Sequence, residues 1–389
     1  MKFLHLSDLH IGKTVNGFSM IEEQKHAFKQ ILGYIRAERP GAVLIAGDLY
    51  DRAVPGVDAV RVFDDFITEL AGENIAVLII SGNHDSPERV NYASRLLSDK
   101  GLFFYSAFDG APRKITLDDE YGKVNFWLLP FIKPASVYGI YSDGPSVPQG
   151  GTDGPPLCPV AGALEAAGID YTGRNVLVSH QFYTKAGVTA VRSESELDPV
   201  GGLDAVDAML IERFDYAALG HLHGSQCAGA ENVRYCGSPV KYSFSEWRQE
   251  KSACLVELGE KGNLTVKPLP LTPIHDMREI KGELHKLISD EVAALADRND
   301  YLRVILTDEE EIVDALGKLR SVYPNIMGLA FENTRTSVDI TSMLSDQKTP
   351  EKLSYYDLFS EFFLKSQGSV MNPAQAAIVR ELLETEGGV

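Results

Sequence analysis

Five stretches of the chain end in side chains that bind cations: Asp8 and His10 in Ser7-Asp8-Leu9-His10, Asp48 in Gly47-Asp48-Leu49-Tyr50-Asp51, Asn83 and His84 in Gly82-Asn83-His84-Asp85, His180 in Ser179-His180, and His221 and His223 in Gly220-His221-Leu222-His223. Carboxylate, imidazole and amide donors without thiolate suit manganese, iron or magnesium better than a structural zinc. Manganese is the first expectation. Two such cations about 3.5 to 4 Å apart can clamp a phosphoryl group and supply a hydroxide nucleophile at neutral pH. The expected distribution gives Asp8, His10 and His223 to one cation and Asn83, His180 and His221 to the other. Asp48 is the natural carboxylate between them, offsetting their mutual repulsion. In an extended segment, D-x-H and H-x-H spacing would turn both side chains to the same side. His84, next to Asn83, is expected to point elsewhere and to protonate a leaving oxygen or stabilise charge on the phosphate. Asp51 and Asp85 are candidates for fixing the second ring nitrogen of a ligand imidazole.

One such motif alone is weak evidence, because a lone histidine in an apolar strand is usually a core residue; five in order reverse that weighting. His5, one residue out of phase with the ligands in its strand, reads as core or as support for the site. His26, His275 and His285 read as solvent-facing.

A run of three to six mostly apolar residues leads into each motif, and in an open α/β sheet functional groups gather at the carboxyl ends of strands. The first third alternates accordingly: strands at Lys2 to Leu6, Val43 to Ala46 and Ala76 to Ser81, helices at Glu22 to Glu38 and Val57 to Leu70. Residues Ala135 to Pro159 shift to Gly, Pro, Ser and Asp and read as a surface insertion without an assigned role. Beyond it come a strand at Val176 to Val178, a helix around Leu203 to Glu212, and strands at Tyr216 to Leu219, Val233 to Cys236 and Ala253 to Leu258. Pro268, Pro270 and Pro273 then break the pattern, which places a domain boundary near residue 270. From His275 to Thr336 a small α/β unit is expected: a strand at Tyr301 to Leu306, a helix at Glu309 to Val322 and a strand at Met327 to Glu332. Ser345 to Pro350 reads as a linker. Past it Tyr355, Leu358, Phe359, Phe362 and Phe363 recur at helical spacing, followed by a second short helix from Pro373 to Glu384.

With 389 residues, 44% apolar and 24% charged, the chain is long enough for one large core and a smaller module. No apolar stretch approaches the roughly 20 residues of a membrane span. The apolar start runs straight into Asp8 with no cleavage pattern, so the expected location is inside the cell. Cys158, Cys227, Cys236 and Cys254 form no C-x-x-C pair and read as free thiols. A net charge of −18 argues against a broad basic surface. A polyanionic substrate must then be held by cations, local basic spots or a second protein. Lys185 and Arg192 are either such spots or a solvated basic pair.

The ordered set D-x-H, G-D-x-x-D, G-N-H-D, S-H and G-H-x-H resembles the calcineurin-like metallophosphoesterase superfamily. Ser193-Glu194-Ser195-Glu196, the run Phe214 to His223, and Gly237 to Glu246 are similar to the SbcD family, nuclease subunits of bacterial SbcCD complexes. The likeness covers nearly the whole chain. It implies a four-layer α/β/β/α sandwich over residues 1–270, a small α/β capping domain that binds DNA over 271–342, and a helical tail over 350–389. It also implies a nuclease using two Mn2+ (Mg2+ or Fe2+ as alternatives), with 3′ to 5′ exonuclease activity on double-stranded ends and endonuclease activity on hairpins and single strands. Asp8, His10, Asp48, Asn83, His180, His221 and His223 would be its ligands and His84 its transition-state residue. Asp51 stands where archaeal and eukaryotic relatives carry a second catalytic histidine, so it receives no proton-transfer role. The tail aromatics would bind the ATPase SbcC, with the nuclease a homodimer in a heterotetramer, in the cytoplasm. Two rivals remain: a generic phosphatase or phosphodiesterase, for which the long stretch after His275 has little use, and a noncatalytic DNA-end scaffold, which would be expected to lose a ligand. Gly237 to Glu246 is either support for the site or a substrate contact.

Overall fold

The computed structural model describes residues 1–133, 158–185, 190–196 and 205–333, with isolated tail positions between 356 and 380. The chain divides into two compact units, Met1–Asp276 and Met277–Val389.

In the first unit the elements are β1 (Lys2–Leu6), α1 (Ile21–Glu38), β2 (Ala42–Ala46), α2 (Val57–Gly72), β3 (Ala76–Ile80), β4 (Leu102–Tyr105), β5 (Arg113–Asp119), β6 (Gly122–Leu129), α3 (Pro159–Ala166), β7 (Arg174–Ser179), β8 (Tyr216–Leu219), β9 (Gln226–Cys227), β10 (Val233–Tyr235), β11 (Ser252–Leu258) and β12 (Leu264–Pro270). One six-stranded sheet has the order β12-β11-β1-β2-β3-β4 and the other β9-β10-β8-β7-β6-β5. The central strands β1 to β4 of the first sheet, and β6, β7, β8 and β10 of the second, run parallel. β2 is buried at every position, which is why its sequence is unbroken Ala, Val, Leu and Ile rather than alternating.

Three apolar clusters stack the layers. Phe28, Ile31, Leu32 and Ile35 of α1 and Val62, Phe66 and Leu70 of α2 recur at helical spacing and pack on Leu4, Val43, Ile45, Val77 and Ile79 of the first sheet. Phe3, Leu44, Leu78, Phe126, Val176, Val178 and Tyr216 fill the space between the sheets. The outer face of the second sheet, with Trp127, Leu177 and Leu219, is covered by Val160, Ala163 and Leu164 of α3 and by Phe214. The result is the expected four layers, helix, sheet, sheet, helix.

Several elements depart from the sequence reading. Pro268 and Pro270 do not end the pattern; they lie in β12, paired with Cys254 and Ser252. β12 is an edge strand, where a missing N–H costs no ladder bond. The described part of the expected helix around Leu203 to Glu212 is not α-helical. Val206 and Asp207 pair with Tyr183 and Thr184, and Asp207 caps a single 3₁₀ turn by accepting from the Met209 N–H. The hairpin β5–β6 was not foreseen.

In the second unit β13 (Met277–Gly282), β14 (Tyr301–Leu306) and β15 (Ile326–Phe331) form a parallel three-stranded sheet. Helices α4 (Leu284–Leu287), α5 (Asp290–Ala293) and α6 (Ala315–Arg320) supply Leu284, Leu287, Ala293 and Leu319 to its core. The helix expected over Glu309 to Val322 is confined to α6. Asp314 adopts a left-handed conformation and its side chain accepts from Gly317 N–H, so the helix starts there. In the tail, Phe359 and Phe363 are helical, whereas Tyr355, Leu358, Phe362 and almost all of the Ala135 to Pro159 insertion lie outside the described residues. Among the described residues no helix is long and apolar enough to cross a membrane.

Candidate metal centre

All the motif residues stand at the carboxyl ends of five central strands: Asp8 and His10 after β1, Asp48 after β2, Asn83 and His84 after β3, His180 after β7, His221 and His223 after β8. They do not converge by strand alternation. Asp8, His10, Asp48 and His221 all have positive φ (51°, 41°, 50° and 104°), so tight left-handed turns, not an extended backbone, aim them inward. The motif glycines make room for this. A Cβ on Gly82 would overlap the Asp48 carboxylate, and one on Gly220 would overlap the carbonyl of Ala46 and the ring of His180.

One ligand atom each from Asp8, His10 and His223 lies within 4.8 Å of the others, as does one each from Asp8, Asp48 and His180. His10 Nε2 faces His223 Nε2 at 3.1 Å. Asn83 Oδ1 is 3.0 Å from His180 Nε2 and 3.3 Å from His221 Nδ1. Asp48 Oδ2 stands between the two groups, 3.5 Å from His10 Nε2 and 3.4 Å from His180 Nε2. Backbone bonds tie the loops together: His221 N–H donates to Asp8 Oδ1 and His84 N–H to Asp48 Oδ1, each at 2.9 Å.

The electrostatics are those of a site short of positive charge. Asp8 is fully buried, and its Oδ2 has no hydrogen-bond partner; such an orphaned atom ordinarily costs on the order of 1–3 kcal/mol or more. Burial raises the Asp8 carboxyl, pushes His10 well below the usual imidazole value and lowers His221 to about 3. Burial opposes the charge on Asp48 too, yet His180 beside it holds that carboxyl well below its ordinary range. Burial likewise lowers His180, but Asp48 lifts it to about 9. Neutral imidazole is the ligand form, so cation binding and proton release are linked there. An orphaned carboxylate oxygen, two imidazole nitrogens facing each other and a carboxylate centred between two donor groups fit a pair of divalent cations.

Asp85 reaches no imidazole. Its oxygens accept from the N–H groups of Leu49, Tyr50 and Gly82, which joins the Asp48 and Asn83 loops. Burial, with Asp48 nearby, raises its carboxyl to about 6. The Asp51 carboxylate pairs with Lys13 at 2.7 Å and stands 4.0 Å from His10 Nδ1. The ring nitrogens are fixed by other groups. His180 Nδ1 donates to Ala46 O at 2.7 Å and His84 Nδ1 to Asp51 O at 2.9 Å. His223 Nδ1 meets Ser195 Oγ at 2.8 Å and Glu246 Oε1 at 3.3 Å. Ser195 and Glu246 were missed as site residues, although each lies in a segment already singled out by its similarity; Glu246, the last residue of Gly237 to Glu246, reaches the His223 ring. His5 is buried in the inter-sheet layer with Nδ1 2.9 Å from Tyr216 OH. His275, expected to face solvent, bonds Glu23 at 2.8 Å. Lys185 is committed to Glu212 at 2.6 Å, and Arg192 stacks on Phe182.

Residues 1–225 match the family model for calcineurin-like phosphoesterases, and residues 273–367 match one described as the type 5 capsule protein repressor C-terminal domain. The chain is also 31% identical over 331 residues to a Staphylococcus epidermidis protein named as the SbcD component of the nuclease SbcCD, covering 85% of each. This chain belongs to the calcineurin-like phosphoesterase family, in its SbcD branch. A second SbcD relative, from Staphylococcus saprophyticus, is 28% identical over 98% of both chains. An SbcD-branch phosphoesterase is a phosphoester hydrolase whose fold implies divalent metals, and the clustered His and Asp side chains are placed to hold them.

Proposed function

We propose that this chain is a manganese-dependent DNA nuclease that works with the SbcC ATPase in DNA end processing, repair and recombination in the cytoplasm. It degrades double-stranded ends 3′ to 5′ and cuts hairpins and single strands. The observation that carries the reading is the convergence of the donors of five separate loops on one buried centre, with no member of the set missing. The names of the relatives support the substrate and the partner.

Asp8, His10, Asp48 and His223 would hold one cation and Asp48, Asn83, His180 and His221 the other. When bound, the pair supplies Lewis-acid stabilisation of the phosphoryl charge and an activated water. His84 acts on the leaving group. With Nδ1 donating to Asp51 O, the ring turns Nε2 toward the departing oxygen and, when that nitrogen carries a proton, gives it to the leaving group. The oxygen of water joins phosphorus, the P–O bond to the leaving group breaks, that group takes the His84 proton, and the proton of water passes to solvent. The tail carrying Phe359 and Phe363 binds SbcC, the 271–342 region contributes to DNA binding, and the nuclease dimerises within the complex. Tethering to an ATPase that grips DNA accommodates an acidic nuclease.

The test incubates the purified chain with labelled duplex and hairpin DNA in Mn2+, with and without SbcC and ATP, beside a chromogenic phosphate ester and Asn83→Ala and His84→Gln controls. DNA cleavage lost in both variants is expected. Hydrolysis of the ester with DNA untouched, SbcC present, would instead make the protein a phosphatase.

A further inference from the structure

We infer that Glu246 and Lys251 are positioning residues that hold His223 for the cation it shares with Asp8 and His10, an inference that rests on the two-cation reading above. His223 is gripped at both its ring and its backbone. Its Nδ1 donates to Ser195 Oγ at 2.8 Å and lies 3.3 Å from Glu246 Oε1, and the Ser195 hydroxyl donates to that same Glu246 oxygen at 2.6 Å. Its backbone carbonyl accepts from Lys251 Nζ at 2.8 Å, and its N–H donates to Glu196 Oε1 at 2.7 Å. Lys251 closes the loop by donating to Glu246 Oε2 at 2.6 Å, with Ser238 Oγ at 2.9 Å and Gln249 Oε1 at 2.8 Å as its other acceptors.

Glu246 is 0% exposed and Lys251 7%. A pair this deep is a poor stability device, since apolar residues of similar volume usually do as well or better. Its geometry serves another purpose. With Nδ1 committed as a donor, the lone pair of His223 is on Nε2, which faces His10 Nε2 at 3.1 Å. That is the ligand tautomer. A carboxylate behind a ligand imidazole also raises its basicity, an effect worth about 10- to 100-fold in metal affinity. At the other cation His180 leans instead on the neutral carbonyl of Ala46, and Asn83 contributes no charge. The Asp8–His10–His223 cation is therefore the tighter of the two, and Glu246, held against the His223 ring by its 2.6 Å contact with Lys251, is part of the reason.

The experiment titrates Mn2+ into the full-length wild type and the Ser195→Ala, Glu246→Gln and Lys251→Met variants, followed by calorimetry and by electron paramagnetic resonance, which separates a coupled pair from an isolated ion. Wild type should bind two ions and give the coupled signal. Glu246→Gln and Lys251→Met should weaken the tighter ion by about 10- to 100-fold, leave the other affinity unchanged and lose the coupled signal at stoichiometric Mn2+. Ser195→Ala removes only a hydroxyl and should lower the same affinity by a smaller factor, which keeps the question decidable where a variant with a buried unpaired charge does not fold. Wild-type affinities for both ions in Ser195→Ala and in any folded Glu246 or Lys251 variant would overturn the inference, as would equal weakening of both ions. A wild type that binds fewer than two ions would overturn the two-cation reading itself.

Discussion

The two ends of the sandwich solve the same problem in opposite ways. At the end where β7 and β1 begin, Arg174 makes a bidentate pair with Asp119, donates to the carbonyls of Gly122 and Gly259, and shares Asp119 with the chain's own amino terminus. Each charge there meets an opposite charge within the chain, and the cluster joins the two sheets. At the other end five loops also join the sheets, through His180 on Ala46 and His221 on Asp8, but a buried carboxylate oxygen of Asp8 is left without a hydrogen-bond partner. One end is satisfied by charges of the chain itself; the donors clustered at the other are placed to hold cations. The strain of four left-handed residues and the crowding around the glycines belong to the second end, where function and not stability sets the geometry.

The largest effect that would sharpen this contrast comes from Asp48, the carboxylate between the two donor groups. Asp48→Ala should reduce phosphoester hydrolysis by about 10³-fold, measured as kcat on DNA or on a chromogenic ester. Arg174→Ala should do the reverse. Removing the guanidinium, with only the amino terminus left to face Asp119, should cost about 3 kcal/mol of stability by urea unfolding, with kcat of the folded fraction unchanged. A common loss of activity in both would dissolve the distinction between the ends.

The pH dependence of stability separates the ends further. Arg174 holds the Asp119 carboxyl well below its ordinary range against the effect of burial. A lowered folded-state value means that the pair's stabilisation is complete above the unfolded value, near 4, and is lost as pH falls through the folded one. Urea unfolding of wild type and Asp119→Asn between pH 7 and pH 2 should therefore show a gap that narrows below about pH 4. A gap constant across that range would mean that the carboxylate charge contributes nothing there.

How much of this was legible in the sequence depended on whether the cause was local. β2 could be read because Ala42 to Ala46 is apolar throughout, and the ligand residues because each follows such a run. Turn geometry was not legible: nothing in D-x-H distinguishes an extended segment from the left-handed Asp8 and His10. Nor was the support of His223, because Ser195 and Glu246 are 28 and 23 residues away and reach the ring only through the fold. β12 was hidden by its prolines, tolerated because that strand lies at an edge. The expected helix near Leu203 was overridden by pairing of Val206 with Tyr183 and by the cap at Asp207. Asp85 was assigned to an imidazole because of its neighbours in sequence, whereas its depth places it among backbone N–H groups.

The smallest expected change tests the central claim most directly, that the end carrying the five loops is built to hold cations. Asp8→Asn keeps an oxygen for the His221 N–H and removes the buried charge. Thermal unfolding of wild type and this variant, with and without Mn2+, compares them. The metal-free variant should be as stable as wild type or more so, by up to about 1 kcal/mol. Wild type should gain about 2.7 kcal/mol at a hundredfold excess of Mn2+ over its dissociation constant, and the variant should lose most of that gain. A variant that unfolds earlier than wild type without metal, yet gains as much from Mn2+, would contradict the account.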